Sequence, residues 1–135
     1  MVFGKVTYTL TPLNHNLREI DLDCVDLTVN KVYLSDGTNL SFENSSGKLK
    51  IKFPQAKNQN EQINLTIEYH GSPKMGLYFI QPDKYYPNKP YQIWSQGEDE
   101  DNRFWYPAYD FPNHRFTSEI IITVKDKYTA ISNGK

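Results

Sequence analysis

Four carboxylates stand side by side at Glu98, Asp99, Glu100 and Asp101, and a run rich in rings and prolines, F-W-Y-P-A-Y-D-F-P, follows from Phe104. Adjacent carboxylates suggest calcium, yet the run lacks the alternating oxygen ligands and the glycine of a D-x-D-x-D-G loop. The plainer alternative is a solvated acidic loop, at least for two or three of the four. Other chemistries find less support. His15, His70 and His114 are isolated, no H-E-x-x-H occurs, and the single cysteine, Cys24, rules out C-x-x-C, so no zinc pattern is present. There is neither a G-x-S-x-G elbow nor a glycine-rich phosphate loop. Phe104, Trp105, Tyr106, Tyr109 and Phe111 suggest a sugar-binding platform or a packed core, since consecutive rings on an extended segment point to opposite faces. Residue types alone stop at a β domain with an acidic, ring-lined loop.

The elements that must position this loop follow from the rest of the chain. A length of 135 residues allows one domain with a real core. Lys and Arg total 15 against 16 Asp and Glu, which leaves no basic stripe and counts against nucleic acid as a partner. No apolar run reaches the ~20 residues of a membrane-spanning helix.

Residues 1–71 alternate with a period of two. Val2, Val6, Tyr8 and Leu10 interleave with Phe3, Lys5, Thr7 and Thr9, and Ile20, Leu22 and Cys24 with Glu19, Asp21 and Asp23. The apolar face of Leu27 and Val29 jumps to Val32 and Leu34, which predicts a bulge near Asn30-Lys31. Asp36-Gly37 and Ser45-Ser46-Gly47 predict tight turns between strands. Residues 54–62 read as a polar loop, and Ile63, Leu65, Ile67 and Tyr69 as a further strand. Ile120, Ile122 and Val124 predict a last strand. No segment sustains a 3.6-residue apolar period, so the expected fold is all-β: an antiparallel sandwich or a large twisted, saddle-like sheet.

The middle differs in kind. Six of the eight prolines fall in residues 73–112, which excludes a run of central strands there. Most of the rings also fall in this stretch. A long, stiffened loop of this sort is either a surface element folded on its own core or a functional loop.

The motifs of residues 76–134 carry a resemblance. G-L-Y-F, P-N-K-P, W-S-Q-G-E, Y-P-A-Y-D-F-P, T-S-E-I-I-I-T-V and A-I-S-N-G together resemble the N-terminal β domain of aminopeptidase N-like zinc metallopeptidases. That family's pattern runs T-Q-x-E, four residues, Arg, three residues, Pro, a small residue or Cys, an aromatic, Asp, any residue, Pro. Gln96, Glu98, Arg103, Pro107, Tyr109, Asp110 and Pro112 fall in register with it, with Ser95 in place of the common Thr and Ala108 in place of the common Cys.

The resemblance implies a single N-terminal β domain over residues 1–135, trimmed at both ends and separate from the catalytic domain. It implies that Zn²⁺ is held elsewhere in the parent enzyme, that this chain has no metal ligand, and that the chain alone is inactive. Glu98 is implied to pair with the α-ammonium of a peptide substrate, beside the glutamate of a G-x-M-E-N strand in the catalytic domain. Gln96 is implied to line the first side-chain pocket, on the same face of an extended segment. Asp99, Glu100 and Asp101 are expected to form a solvated rim, and Arg103 and Asp110 to pair and support the loop's base. The implied partners are the peptide N-terminus and the parent's own catalytic domain, with neither nucleic acid nor membrane among them. Edge strands left open by trimming are expected to self-associate. A non-catalytic scaffold of the same architecture, as in a subunit of a transcription initiation factor, is the alternative reading. A carbohydrate-binding sandwich using Trp94, Trp105 and Tyr109 is the third.

Overall fold

The period-two patterns become strands because each apolar row can be buried against a second sheet while its polar row stays in water. A computed structural model of the chain describes residues 1–113 and 115–133; His114 and the end of the A-I-S-N-G motif lie outside them. Strand β1 (Val2–Leu10) alternates half-buried and exposed side chains along its whole length. It is followed by β2 (Leu17–Asp23), β3 (Leu27–Leu34), β4 (Ser41–Ser45), β5 (Lys48–Lys57) and β6 (Ile63–Gly71). These six form two three-stranded antiparallel sheets, in the orders β1-β6-β3 and β2-β5-β4. No α-helix occurs among the described residues.

Both sheets contribute to one core. Leu22, Leu49, Ile51 and Phe53 come from one sheet, and Leu27, Val32, Ile63, Leu65, Ile67 and Tyr69 from the other. Each such aliphatic side chain contributes roughly 1.5–3 kcal/mol on burial. The β3–β6 register shifts between Val29 and Lys31, at the bulge the phase jump predicts. Ser46-Gly47 closes the β4–β5 hairpin, and the Asp36-Gly37 turn folds residues 38–40 back onto β3 before the chain passes to β4 in the other sheet.

Two expectations are corrected. Residues 54–62 are not all loop, because β5 continues through Pro54 to Lys57. The β2–β5 register is irregular between Leu17 and Glu19, opposite the Pro54 stretch, and a proline without an N–H is tolerated at such an irregularity. Ile120, Ile122 and Val124 form no strand; residues 115–125 carry no regular structure and these side chains are exposed. Alternation prepares a segment to pair, but a strand exists only where a partner offers its ladder.

In the proline-rich middle a separate antiparallel ribbon forms, β7 (Leu77–Ile80) with β8 (Gln92–Ser95), in which Tyr78 stacks on Trp94 at 4.4 Å. The ribbon delivers the chain directly into the acidic stretch.

Candidate functional site

β8 ends at Ser95, and residues 98–101 form a turn. The Gln96 N–H donates to the Gly76 carbonyl at 2.9 Å, and the Asp101 N–H to the Gly97 carbonyl at 3.1 Å. The turn therefore rests on the start of β7. Gly76 sits at φ +73°, and a Cβ there would lie 2.0 Å from the Asp101 carbonyl oxygen. Only glycine permits this approach. A single 3₁₀ turn, Asn102–Phe104, follows.

Around it lies a charge cluster. The Arg103 Nε donates to Asp110 Oδ2 at 3.3 Å, its Nη2 to the Asp110 carbonyl at 2.8 Å and to Glu100 Oε2, and its Nη1 lies 3.6 Å from Asp23 Oδ1. Asp110 is 5% exposed and also accepts from the Arg103 N–H at 3.0 Å and from Asn102 Nδ2 at 3.1 Å. The loop is thus closed on itself by one carboxylate with several donors. Burial works against the Arg103 charge. The Asp110 hydrogen bonds and the Asp23 and Glu100 carboxylates outweigh it, so the guanidinium's pKa is raised.

The rings and prolines sit beneath the cluster. Pro107 is fully buried and its carbonyl accepts the Tyr8 hydroxyl; Tyr106 packs against the core. Burial, and then the charge of Asp110, push the Tyr106 phenol above its ordinary value.

The predicted residues are placed as follows. Arg103 and Asp110 are in direct contact. Gln96 and Glu98 are both exposed, but Glu98 opens a turn, so the expected extended segment shared by the two stops short of it. Among the described residues no ion pair or side-chain hydrogen bond engages Glu98, Asp99 or Asp101. Glu100 departs from the expected rim: its side chain is 42% exposed, but its carboxylate is paired with Arg103, which the turn over residues 98–101 brings alongside. Three participants escape sequence reasoning, namely Asp23, Lys48 and Asn102. Asp23 looks in sequence like its strand neighbours Glu19 and Asp21, and no spacing distinguishes it. Among the described residues no three His, Cys, Asp or Glu side chains come together in a way that could hold a metal ion. Asp23, Glu100 and Asp110, the carboxylates that do cluster among the described residues, converge on a guanidinium.

Comparison with known proteins agrees with this architecture. Leucine aminopeptidase 2 of Candida glabrata is 27% identical over 139 residues, covering 98% of this chain and 21% of its own length. Transcription initiation factor TFIID subunit 2 of Schizosaccharomyces pombe is 35% identical over 69 residues, 50% of this chain and 6% of its own. The M1 zinc metallopeptidase from Deinococcus radiodurans has a similar fold, with a TM-score of 0.63 at 21% identity over 81% of this chain and 25% of that one. The chain spans about a fifth or less of the curated relatives it matches. The sequence model of the Peptidase M1 N-terminal domain matches residues 1–135, and the chain belongs to that family.

Proposed function

We propose that this chain is the substrate-anchoring N-terminal domain of a zinc aminopeptidase. Glu98 holds the α-ammonium of the peptide, Gln96 lines the pocket for the first side chain, and Arg103 and Asp110 support the loop. The observation that carries this reading is an exposed carboxylate, unpaired among the described residues, on a turn whose base is clamped by Arg103 and seated on buried Pro107. A binding carboxylate needs both properties: freedom to meet a cation, and a fixed position. Asp99 and Asp101 are also unpaired, and Glu98 is preferred because it alone falls in register with the family's Q-x-E pattern. A unit-charge pair at ~4 Å is worth about 4 kcal/mol at an effective dielectric of roughly 20, before desolvation, which suffices to select free over blocked termini.

In this reading the partners are the peptide N-terminus and the catalytic domain of the same enzyme. The zinc is held by that domain, and no step performed by this chain runs through it. A second reading is favoured by the fission-yeast TFIID relative: a scaffold of the same architecture without catalysis.

One experiment separates them. The polypeptide that carries this domain is assayed on matched peptides with free and N-acetylated termini, with Glu98→Gln in parallel. The enzyme reading expects cleavage of free termini only and a large loss in the variant. No cleavage of either peptide leaves the scaffold reading and removes the enzyme.

A further inference from the structure

Besides the Tyr8–Pro107 contact and the packing of Tyr106, the loop that carries the acidic turn is tied to the sandwich through residues 23–25. The Asp23 N–H donates to the Ala108 carbonyl at 2.6 Å, the Ala108 N–H returns to the Asp23 carbonyl at 2.9 Å, and the Val25 N–H donates to the Arg103 carbonyl at 3.0 Å. The Asp23 side chain adds to these. Its Oδ2 accepts the Asp110 N–H at 3.3 Å, while its Oδ1 meets Lys48 Nζ at 2.5 Å and Arg103 Nη1 at 3.6 Å. The residue is 7% exposed, at the end of β2.

We propose that Asp23 is a positioning residue: its carboxylate fixes the acidic turn to the sandwich and so sets where Glu98 stands. This role presupposes the amine-anchoring reading of Glu98. Two features separate positioning from plain structural support. The loop's internal clamp does not need Asp23, since Asp110 gives acceptors to Arg103 and Asn102, and Glu100 gives Arg103 a further one. Removing Asp23 therefore leaves the turn folded but loosens its seat. The upstream end of the turn also offers little hold, because it is carried by β7 and β8, which pair only with each other. Misplacing a binding group by about 1 Å can cost on the order of 100-fold in rate.

The test combines kinetics with amide exchange. In the polypeptide that carries this domain, Asp23→Ala should lower kcat/KM about 10- to 100-fold, but under about 3-fold when Glu98→Gln is already present. In the 135-residue chain the Asp101 and Tyr106 amides, neither of which touches Asp23, should exchange at least about 10-fold faster, with Leu65 and Ile67 of β6 unchanged. Equal acceleration at Leu65 and Ile67 would make Asp23 a general stabiliser and overturn the proposal. So would unaltered turn amides, or a loss that adds in full to a costly Glu98→Gln, an outcome that leaves the amine anchor standing. A silent Glu98→Gln removes the amine anchor itself, and the positioning role with it.

Discussion

Arg103 and Asp110 meet through both side chain and main chain: Nε to Oδ2 at 3.3 Å, Nη2 to the Asp110 carbonyl at 2.8 Å, and the Arg103 N–H to Oδ2 at 3.0 Å. The six ring-rich residues 104–109 are closed into a loop by this contact. The arginine side chain is 21% exposed and the aspartate 5%, so the two are not equivalent to remove. Asp110→Ala takes the acceptor from Arg103 Nε, the Arg103 N–H and Asn102 Nδ2, while the guanidinium keeps Glu100, Asp23 and the residue-110 carbonyl. Three half-buried donors left without that carboxylate, with one weakened ion pair, set the expectation at about 2–3 kcal/mol. Arg103→Met leaves Asp110 with Asn102 and a backbone N–H, and should cost less, about 1–2 kcal/mol. Urea unfolding of both variants checks the order, and equal midpoints would show that the pair's two ends contribute alike.

Gly76 tests the seat of the turn. Alanine there must take φ +73° and place its methyl 2.0 Å from the Asp101 carbonyl oxygen. Left-handed strain and the displaced turn together should cost at least about 2 kcal/mol. The loss should appear as a lower urea midpoint with an unchanged slope, together with faster amide exchange in residues 98–105. A midpoint within error of the unsubstituted chain would mean that the turn does not rest on β7.

Much of the fold is readable from local pattern, and the misses share a cause. The alternation of β1, the Val29–Lys31 bulge and the Ser46-Gly47 turn depend on neighbouring residues, so their signals lie within short windows. Whether Pro54 ends a strand depends on an irregularity in the partner, and whether Ile120 to Val124 pair depends on a ladder elsewhere. The site divides the same way. Arg103 and Asp110 lie seven residues apart and carry recognisable spacing, whereas Asp23 reaches Asp110 across 87 positions of sequence. An extended segment would keep Glu100 apart from Arg103, whereas the turn over residues 98–101 brings the two together.

The unpaired Ile120, Ile121, Ile122 and Val124 lead to a prediction about association. Ile121 is 87% exposed in a segment whose alternation suits a strand. Exposed β-branched residues with unpaired backbone favour edge pairing between chains. The 135-residue chain should show concentration-dependent association by sedimentation, and Ile121→Lys should weaken it at least several-fold. A monomer at high concentration would refute this.

Alkaline pH should weaken the fold. Burial pushes the Cys24 thiol from about 9 up to about 11, and burial likewise raises Tyr8 and Tyr69. A folded value above the unfolded one means the protonated form is favoured in the fold. Cys24's contribution is therefore complete below pH about 9 and is lost as pH rises through about 11, roughly 2–3 kcal/mol in all. Urea unfolding between pH 8 and pH 11 should show this decline, shallower in Cys24→Ala. Native Cys24 should also resist iodoacetamide at pH 8, and rapid alkylation would contradict its burial.

The decisive substitutions fall in the acidic run of the polypeptide that carries this domain. If Glu98 holds the substrate ammonium, Glu98→Gln keeps the shape and removes the charge. The ammonium also fixes the scissile bond in place, so the loss should reach kcat as well as KM. One charge-assisted contact in a water-poor cleft is worth roughly 2–4 kcal/mol, or about 30- to 1000-fold in kcat/KM. Asp99→Asn and Asp101→Asn should cost under about threefold, since their carboxylates are unpaired and carry no assigned contact. Glu100→Gln belongs between these, because it releases one arm of Arg103, whose other contacts remain. Its effect should fall on stability by up to about 1 kcal/mol, and on kcat/KM by less than about tenfold. The four variants are compared side by side on a free-amine peptide. If Glu98→Gln behaves like Asp99→Asn, no amine is anchored there, and the turn is a solvated loop on a clamped base.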